Sequence, residues 1–201
     1  MPRQPWRRQL VLTRPAYPER VSDAVPPLAA EDYVCPDCRV SYSEVTIEGA
    51  TETIRGIAGA VREVALAVSE ASRRQRPAAE VWSVTEYVCH LRDVYMTYTI
   101  RLHRTRTEDE PALEPMLNDL RTRRFRYNER ELRPVLDELT AAVAGFCDEI
   151  ARTAPDGWDR TATRLPGERR TARWLVRQAA HEGVHHLGDI RDVGEAVADA
   201  G

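Results

Sequence analysis

The chain has 201 residues, is 42% hydrophobic and 30% charged, and carries a formal net charge of −3. That apolar share is enough to close a core, so a fully disordered chain is excluded, and the length fits one domain with an extension or two small domains. The slight acidity gives no general reason to expect a nucleic-acid partner. No apolar run approaches the roughly 18–20 residues of a membrane span, and the stretch from Met1 to Val11 lacks the apolar centre of a signal peptide. A soluble, cytoplasmic protein with no membrane partner is expected. All 29 basic residues are Arg, a bias that GC-rich coding produces and that says nothing about fold.

Residues 1–46 differ from the rest. Seven of the thirteen prolines (Pro2, Pro5, Pro15, Pro18, Pro26, Pro27 and Pro36) lie there, and proline removes backbone donors and fixes φ. This predicts an extended arm with short strands at Leu10–Thr13 and Val40–Ile47, lying over a main body formed by residues 47–201. From about residue 50 a helical period takes over. Ile54, Ile57, Ala58, Val61, Val64, Ala65, Val68 and Ala71 recur at spacings of three and four and predict a first helix ending near Ser72–Gln75.

Ser83 with Glu86 three residues on forms a capping-box signature for a second helix, whose apolar positions run from Val84 through Leu91, Val94 and Tyr98 to Leu102. A polar connection containing Pro111 and Pro115 then runs to about Tyr127. That is long for adjacent antiparallel helices and suits a crossover along a bundle. A third helix carries Leu132 to Ile150, starting at Asn128 or nearer Pro134, and a fourth spans Thr171 to about Val197. The fold class is therefore all-α: a four-helix bundle with a long crossover connection and a Pro-rich N-terminal arm.

Four of the five histidines fall in two short stretches, His90 on the second helix and His181, His185 and His186 on the fourth. Helix positions four apart share a face, so two ligands at that spacing can hold one metal ion. The fourth helix offers His181 with His185, which matches H-E-x-x-H in letters, and Glu182 with His186. At roughly 100° per residue, His186 lies about 60° and Glu182 about 100° from the centre of the apolar face, whereas His181 and His185 lie roughly 160° away. A ligand pair inside a bundle must look inward, which favours Glu182 and His186. His90 also points inward. The competing reading is a core His90 hydrogen-bonded to Glu182 with no metal; a buried Glu without compensation is costly, and a divalent cation is one way to compensate it. His103 reads as a surface helix residue.

Trp82-Ser83-x-x-Glu86-x-x-x-His90-Leu91, followed by Glu182-x-x-x-His186-Leu187-Gly188-Asp189-Ile190, resembles the DinB/YfiT-like superfamily. More narrowly, it is similar to the branch containing mycothiol-dependent maleylpyruvate isomerases. The resemblance covers roughly residues 50–195 and implies a four-helix bundle with a long crossover. It implies a divalent metal, Zn²⁺ foremost with Ni²⁺ or Fe²⁺ as alternatives, held by His90, Glu182 and His186. Asp189 would orient a ligand and Tyr87 would line the pocket. It also implies a low-molecular-weight thiol of mycothiol type as co-substrate, in S-transfer, isomerisation or detoxification of an electrophilic small molecule. A homodimer is compatible with such bundles. The alternative is a noncatalytic, metal-stabilised binding or dimerisation module.

Cys35-Pro36-Asp37-Cys38 is a single CxxC without the second half of a zinc ribbon. A simple turn, a zinc site completed by distant residues and a redox pair all remain open for it. Arg121, Arg123, Arg124 and Arg126 form a basic run that reads as a solvated loop or as a carboxylate-binding lip of the cleft.

Overall fold

The computed structural model describes Val25 and residues 27–198. Five α-helices appear in chain order: α1 (Ile47–Ala67), α2 (Val84–Thr107), α3 (Asn118–Arg124), α4 (Leu132–Ala151) and α5 (Ala172–Ala198). A two-stranded antiparallel sheet, β1 (Thr161–Thr163) with β2 (Arg169–Thr171), precedes α5. The long helices α1, α2, α4 and α5 form the four-helix bundle. α2 packs on α4 and α5, and α1 packs on the same two from the other side, so α1 and α2 are diagonal partners that scarcely touch. The core is one apolar cluster, with Trp174, Tyr95, Phe146, Leu91 and Leu136 among its most enclosed side chains.

The ends of the helices follow from local chemistry. Ser83 accepts from the Glu86 backbone N–H at 3.2 Å while the Glu86 carboxylate accepts from the Ser83 N–H at 2.9 Å, the reciprocal box expected for α2. α1 begins earlier than its apolar stripe, because Thr46 caps it by accepting from the Gly49 N–H at 3.0 Å. It also ends earlier, at Ala67. The Arg73 guanidinium turns back to donate to the carbonyls of Val68 (2.8 Å) and Leu66 (3.1 Å), so the carbonyls left open at a helix end find their donors there. α4 starts at Leu132, with Pro134 in its first turn where no backbone donor is needed. Asn128 does not cap it; its side chain accepts from Ser83 Oγ at 2.6 Å and donates to the Arg74 carbonyl at 2.8 Å.

One expectation changes and another cannot be compared. The strand expected at Leu10–Thr13 lies outside the described residues. Val40–Ile47 is not a strand: a single bridge joins Val34 to Ser41, turns follow, and helix α1 claims Ile47. The long crossover is present and holds α3 and a 3₁₀ turn at Tyr127–Glu129. It is also pinned to the β-hairpin, where the Leu113 N–H donates to the Thr163 carbonyl at 2.8 Å and the Thr163 N–H to that of Pro111 at 3.0 Å.

Residues 27–46 lie against β2 and the start of α5. Arg170 donates to the carbonyls of Ala29 and Leu28 at 2.6 and 2.9 Å, Trp174 Nε1 to that of Ala30 at 3.3 Å, and Arg177 to that of Val45 at 2.8 Å. Tyr42 is fully enclosed, its ring edge-on to Trp174.

Candidate metal centre

α2 and α5 are neighbours, and His90 faces Glu182 across that seam. Glu182 Oε2 lies 3.2 Å from His186 Nε2 and 3.6 Å from His90 Nε2, and the two imidazoles stand edge to face at 4.8 Å. Nitrogen and oxygen donors sharing one zinc ion at tetrahedral angles would be separated by about 3.4 Å, between the two observed spacings. His90 is only 2% exposed, and its Nε2 is buried with no hydrogen-bond partner among the described residues. A buried, unpartnered ring nitrogen aimed at a carboxylate too distant to bond has the burial and spacing of a metal ligand. The residues therefore fit a divalent cation.

The surroundings fix the rings. Asp189 Oδ2 sits 2.7 Å from His186 Nδ1, so an N–H there donates to the carboxylate and Nε2 is the ring atom turned to Glu182. Tyr87 packs against His186 at 5.4 Å, and Trp82 packs on His90 at 5.0 Å. Burial opposes a charge on Glu182, but the two imidazoles beside it, His186 foremost, outweigh it and hold its carboxyl well below the usual range. Burial likewise opposes protonation of His186, yet Asp189 and Glu182 raise its pKa to about 9. His90 is lowered, chiefly by burial.

A cavity of about 360 Å³ opens beside this triangle, with His90 and Glu182 in its wall. A larger groove of about 640 Å³ lies between the far ends of α1 and α5, and no His or Cys lines it. Arg101 lines the smaller cavity, stacked over Tyr98 at 5.1 Å. It donates through Nη2 to the Glu114 carbonyl at 2.5 Å, while its buried Nε has no partner among the described residues. Gln178 Nε2 donates to Glu182 Oε1 at 2.5 Å, and the Tyr42 hydroxyl in turn donates to Gln178 Oε1.

The basic run of the crossover plays no part here. Arg121 is bound to Asp93, Arg126 pairs with Glu129, and Arg123 and Arg124 are exposed, so none of them forms a lip of this cavity, whose wall carries Arg101 instead. His103 is exposed as expected, near Glu149 at 3.3 Å. Arg101, Gln178 and Tyr42 were missed. Gln178 stands one helical turn before Glu182 and could have been found by the same spacing; Arg101 and Tyr42 left no pattern. His181 and His185 do not join His90. They face the N-terminal hairpin, where Cys35 and Cys38 lie close to them.

A family model described as the DinB superfamily matches residues 54–190. The uncharacterized protein YuaE of Bacillus subtilis (strain 168) is 24% identical over 153 residues, covering 66% of this chain and 90% of that protein. Among solved structures, YfiT from Bacillus subtilis, described as a probable metal-dependent hydrolase with an unusual four-helix bundle topology, superposes with a TM-score of 0.72. It has 14% identity and covers 82% of this chain and 93% of its own, a likeness of fold. Matched over more than half its length, with the bundle and the His90–Glu182–His186 triangle in place, the chain belongs to the DinB superfamily.

Proposed function

We propose that the protein is a metal-dependent enzyme in which His90, Glu182 and His186 hold a divalent ion, foremost Zn²⁺. In this reading the adjoining cavity brings a low-molecular-weight thiol of mycothiol type to an electrophilic small molecule carrying an anionic group. The observation that carries it is the convergence of three donor atoms beside a 360 Å³ cavity, with His90 and Glu182 in its wall. Three protein ligands leave a position open, as catalytic rather than structural sites do. When bound, the ion supplies Lewis acidity that lowers the pKa of a thiol or water it contacts, so that the nucleophile is available at neutral pH.

The chain's own residues do the rest. Asp189 holds the His186 proton on Nδ1 and so keeps Nε2 free. Gln178 steadies Glu182 through its other oxygen. Trp82 and Tyr87 screen the two imidazoles from water, and a drier site strengthens each electrostatic contact inside it. Arg101, whose side chain lines the cavity, binds the anionic group through its guanidinium charge and orients the electrophile. The thiol assignment rests on the resemblance of Glu182-x-x-x-His186-x-x-Asp189 to the mycothiol-isomerase branch. The fold shared with YfiT favours a second reading in which water replaces the thiol and the reaction is a hydrolysis.

The test is turnover of a mycothiol–electrophile pair by the metal-loaded protein. The expected result is thiol-dependent consumption of the electrophile, falling at least about tenfold in His186→Ala, with weaker substrate binding in Arg101→Gln. Turnover that persists in the metal-free protein and in His186→Ala overturns the reading, and consumption of substrate without thiol selects hydrolysis.

A further inference from the structure

Four potential ligands remain unused by the site above. Cys35 and Cys38 lie on a tight hairpin, and His181 and His185 on the side of α5 that faces it; their ligand atoms all lie within 4.8 Å of one another. We propose that Cys35, Cys38, His181 and His185 form a second metal site, a closed tetrahedral zinc centre that clasps the N-terminal hairpin onto α5.

The hairpin is shaped for two sulfurs. Tyr33 and Tyr42 pair across it, the Cys35 N–H donates to the Val40 carbonyl at 3.0 Å, and the Arg39 N–H to the Cys35 carbonyl at 3.0 Å. Arg39 takes a left-handed φ of 64°, which closes the turn just after the second cysteine. The backbone N–H groups of Asp37 and Cys38 point at the Cys35 sulfur and that of Val40 at the Cys38 sulfur, leaving the sulfurs' other sides to α5.

The helix is shaped for two nitrogens. His181 and His185 are one turn apart, a spacing that puts both rings on one face. His181 Nδ1 lies 2.8 Å from the Tyr42 oxygen; because the Tyr42 hydroxyl donates to Gln178, that oxygen accepts and the His181 proton sits on Nδ1. Its Nε2 is then a lone pair, buried and without a partner among the described residues. His185 Nδ1 is within hydrogen-bond reach of Cys35 Sγ at 3.6 Å, a separation that also equals the edge of about 3.6 Å expected between sulfur and nitrogen bound to one tetrahedral zinc. The other nitrogen of His185 is turned to Asp189 Oδ2 at 3.8 Å, so a carboxylate stands behind this ring too.

Charge and coordination select the ion. Two thiolates cancel a 2+ charge, so the filled site is neutral and can be enclosed beside Cys35, which is 2% exposed. Two sulfurs and two imidazoles at tetrahedral spacing suit zinc, and four protein ligands leave no open position, so this centre is structural. Both cysteines are free thiols here, as ligation requires.

The experiment uses the full-length protein, purified under reducing conditions, with metal counted by elemental analysis and the site read by cobalt substitution. The wild type is expected to hold two equivalents of metal and to show a sulfur-to-cobalt charge-transfer band in the near ultraviolet. The band should persist in His186→Ala, which loses only the other equivalent, and vanish in the Cys35→Ser/Cys38→Ser double variant. Should that variant fail to fold, mercurial titration of the wild type gives the same answer: modification mapped to Cys35 and Cys38 should release one equivalent of zinc. A single equivalent that disappears in His186→Ala, absence of the sulfur band in the wild type, or modification of both cysteines without metal release overturns the proposal. Because one arm removes His186 and the other the cysteines, failure of this site and failure of the catalytic reading are read separately.

Discussion

Asp93 concentrates more polar bonding than any other side chain in the seam between α2 and the crossover. Its carboxylate accepts from Arg92 Nε at 2.8 Å, from Arg121 Nη2 at 2.5 Å and from the Tyr127 hydroxyl, with its side chain only 6% exposed. Burial alone would raise its pKa, but the bonds from Tyr127 and Arg121 outweigh that and hold the carboxyl below its ordinary value. A carboxyl whose pKa is depressed in the folded protein stabilises it above the unfolded value, about 3.9, and that contribution is lost as pH falls through the lower folded pKa. Asp93→Asn should cost about 3 kcal/mol at neutral pH, since it leaves Arg92 and Arg121 without their buried partner. Urea titrations should show the gap between the two proteins closing below about pH 4; a gap independent of pH would refute this assignment. Nothing in the order of residues announces this role. Arg121 reads as one of a solvated run, and only the fold brings it 28 positions back to Asp93.

At the level of elements, Gly183 sets how closely α5 can approach its neighbours. A Cβ there would collide with the Tyr95 hydroxyl and lie 2.9 Å from Ile57 Cγ1, so α5 meets both α2 and α1 at this point, beside Glu182. Gly183→Ala should destabilise by about 1–3 kcal/mol, seen as a lower urea midpoint at unchanged slope. It should also weaken metal binding in equilibrium dialysis, because the helix that carries two of the three ligands is pushed from His90. A variant with wild-type midpoint and wild-type affinity would show that the close approach is dispensable. The long helices were legible because each repeats its apolar positions over several turns and because Ser83 and Glu86 mark a start with side-chain chemistry. β1, β2 and α3 span three, three and seven residues, too few for a period to emerge. The Val45-Thr46-Ile47 stretch looks strand-like from its β-branched residues, yet the Thr46 hydroxyl spends itself capping α1. The inward set Glu182 and His186 could be read by angle from α5 alone. The environment of His181 and His185 could not, for Cys35 is 150 positions from His185 and no local spacing reports it.

For the molecule as a whole, residues 27–33 help to wall the cavity beside the candidate metal centre. Pro27, Leu28, Ala29 and Tyr33 form one side of the cavity whose other side carries His90 and Glu182. The Leu28 N–H and the Thr171 N–H are tied to the carboxylates of Glu168 and Glu31, at 2.9 and 2.8 Å, across the hairpin. Deleting residues 1–46 should therefore lower the melting temperature, uncover Trp174 to fluorescence quenchers and abolish selective substrate binding. A truncated protein that melts and binds as the full chain does would show the segment to be an ornament. No helix among the described residues is long and apolar enough to cross a membrane. One rod, α5, supplies two residues to each ligand nest, with His181 and His185 interleaved by one position with Glu182 and His186. Gln178 and Tyr42 stitch the two nests together by a relay of hydrogen bonds. Neither nest can drift alone over evolutionary time: a change that re-aims α5 for one must be answered in the other, and descendants that lose the hairpin cysteines should be found to have rewritten positions 42 and 178 as well.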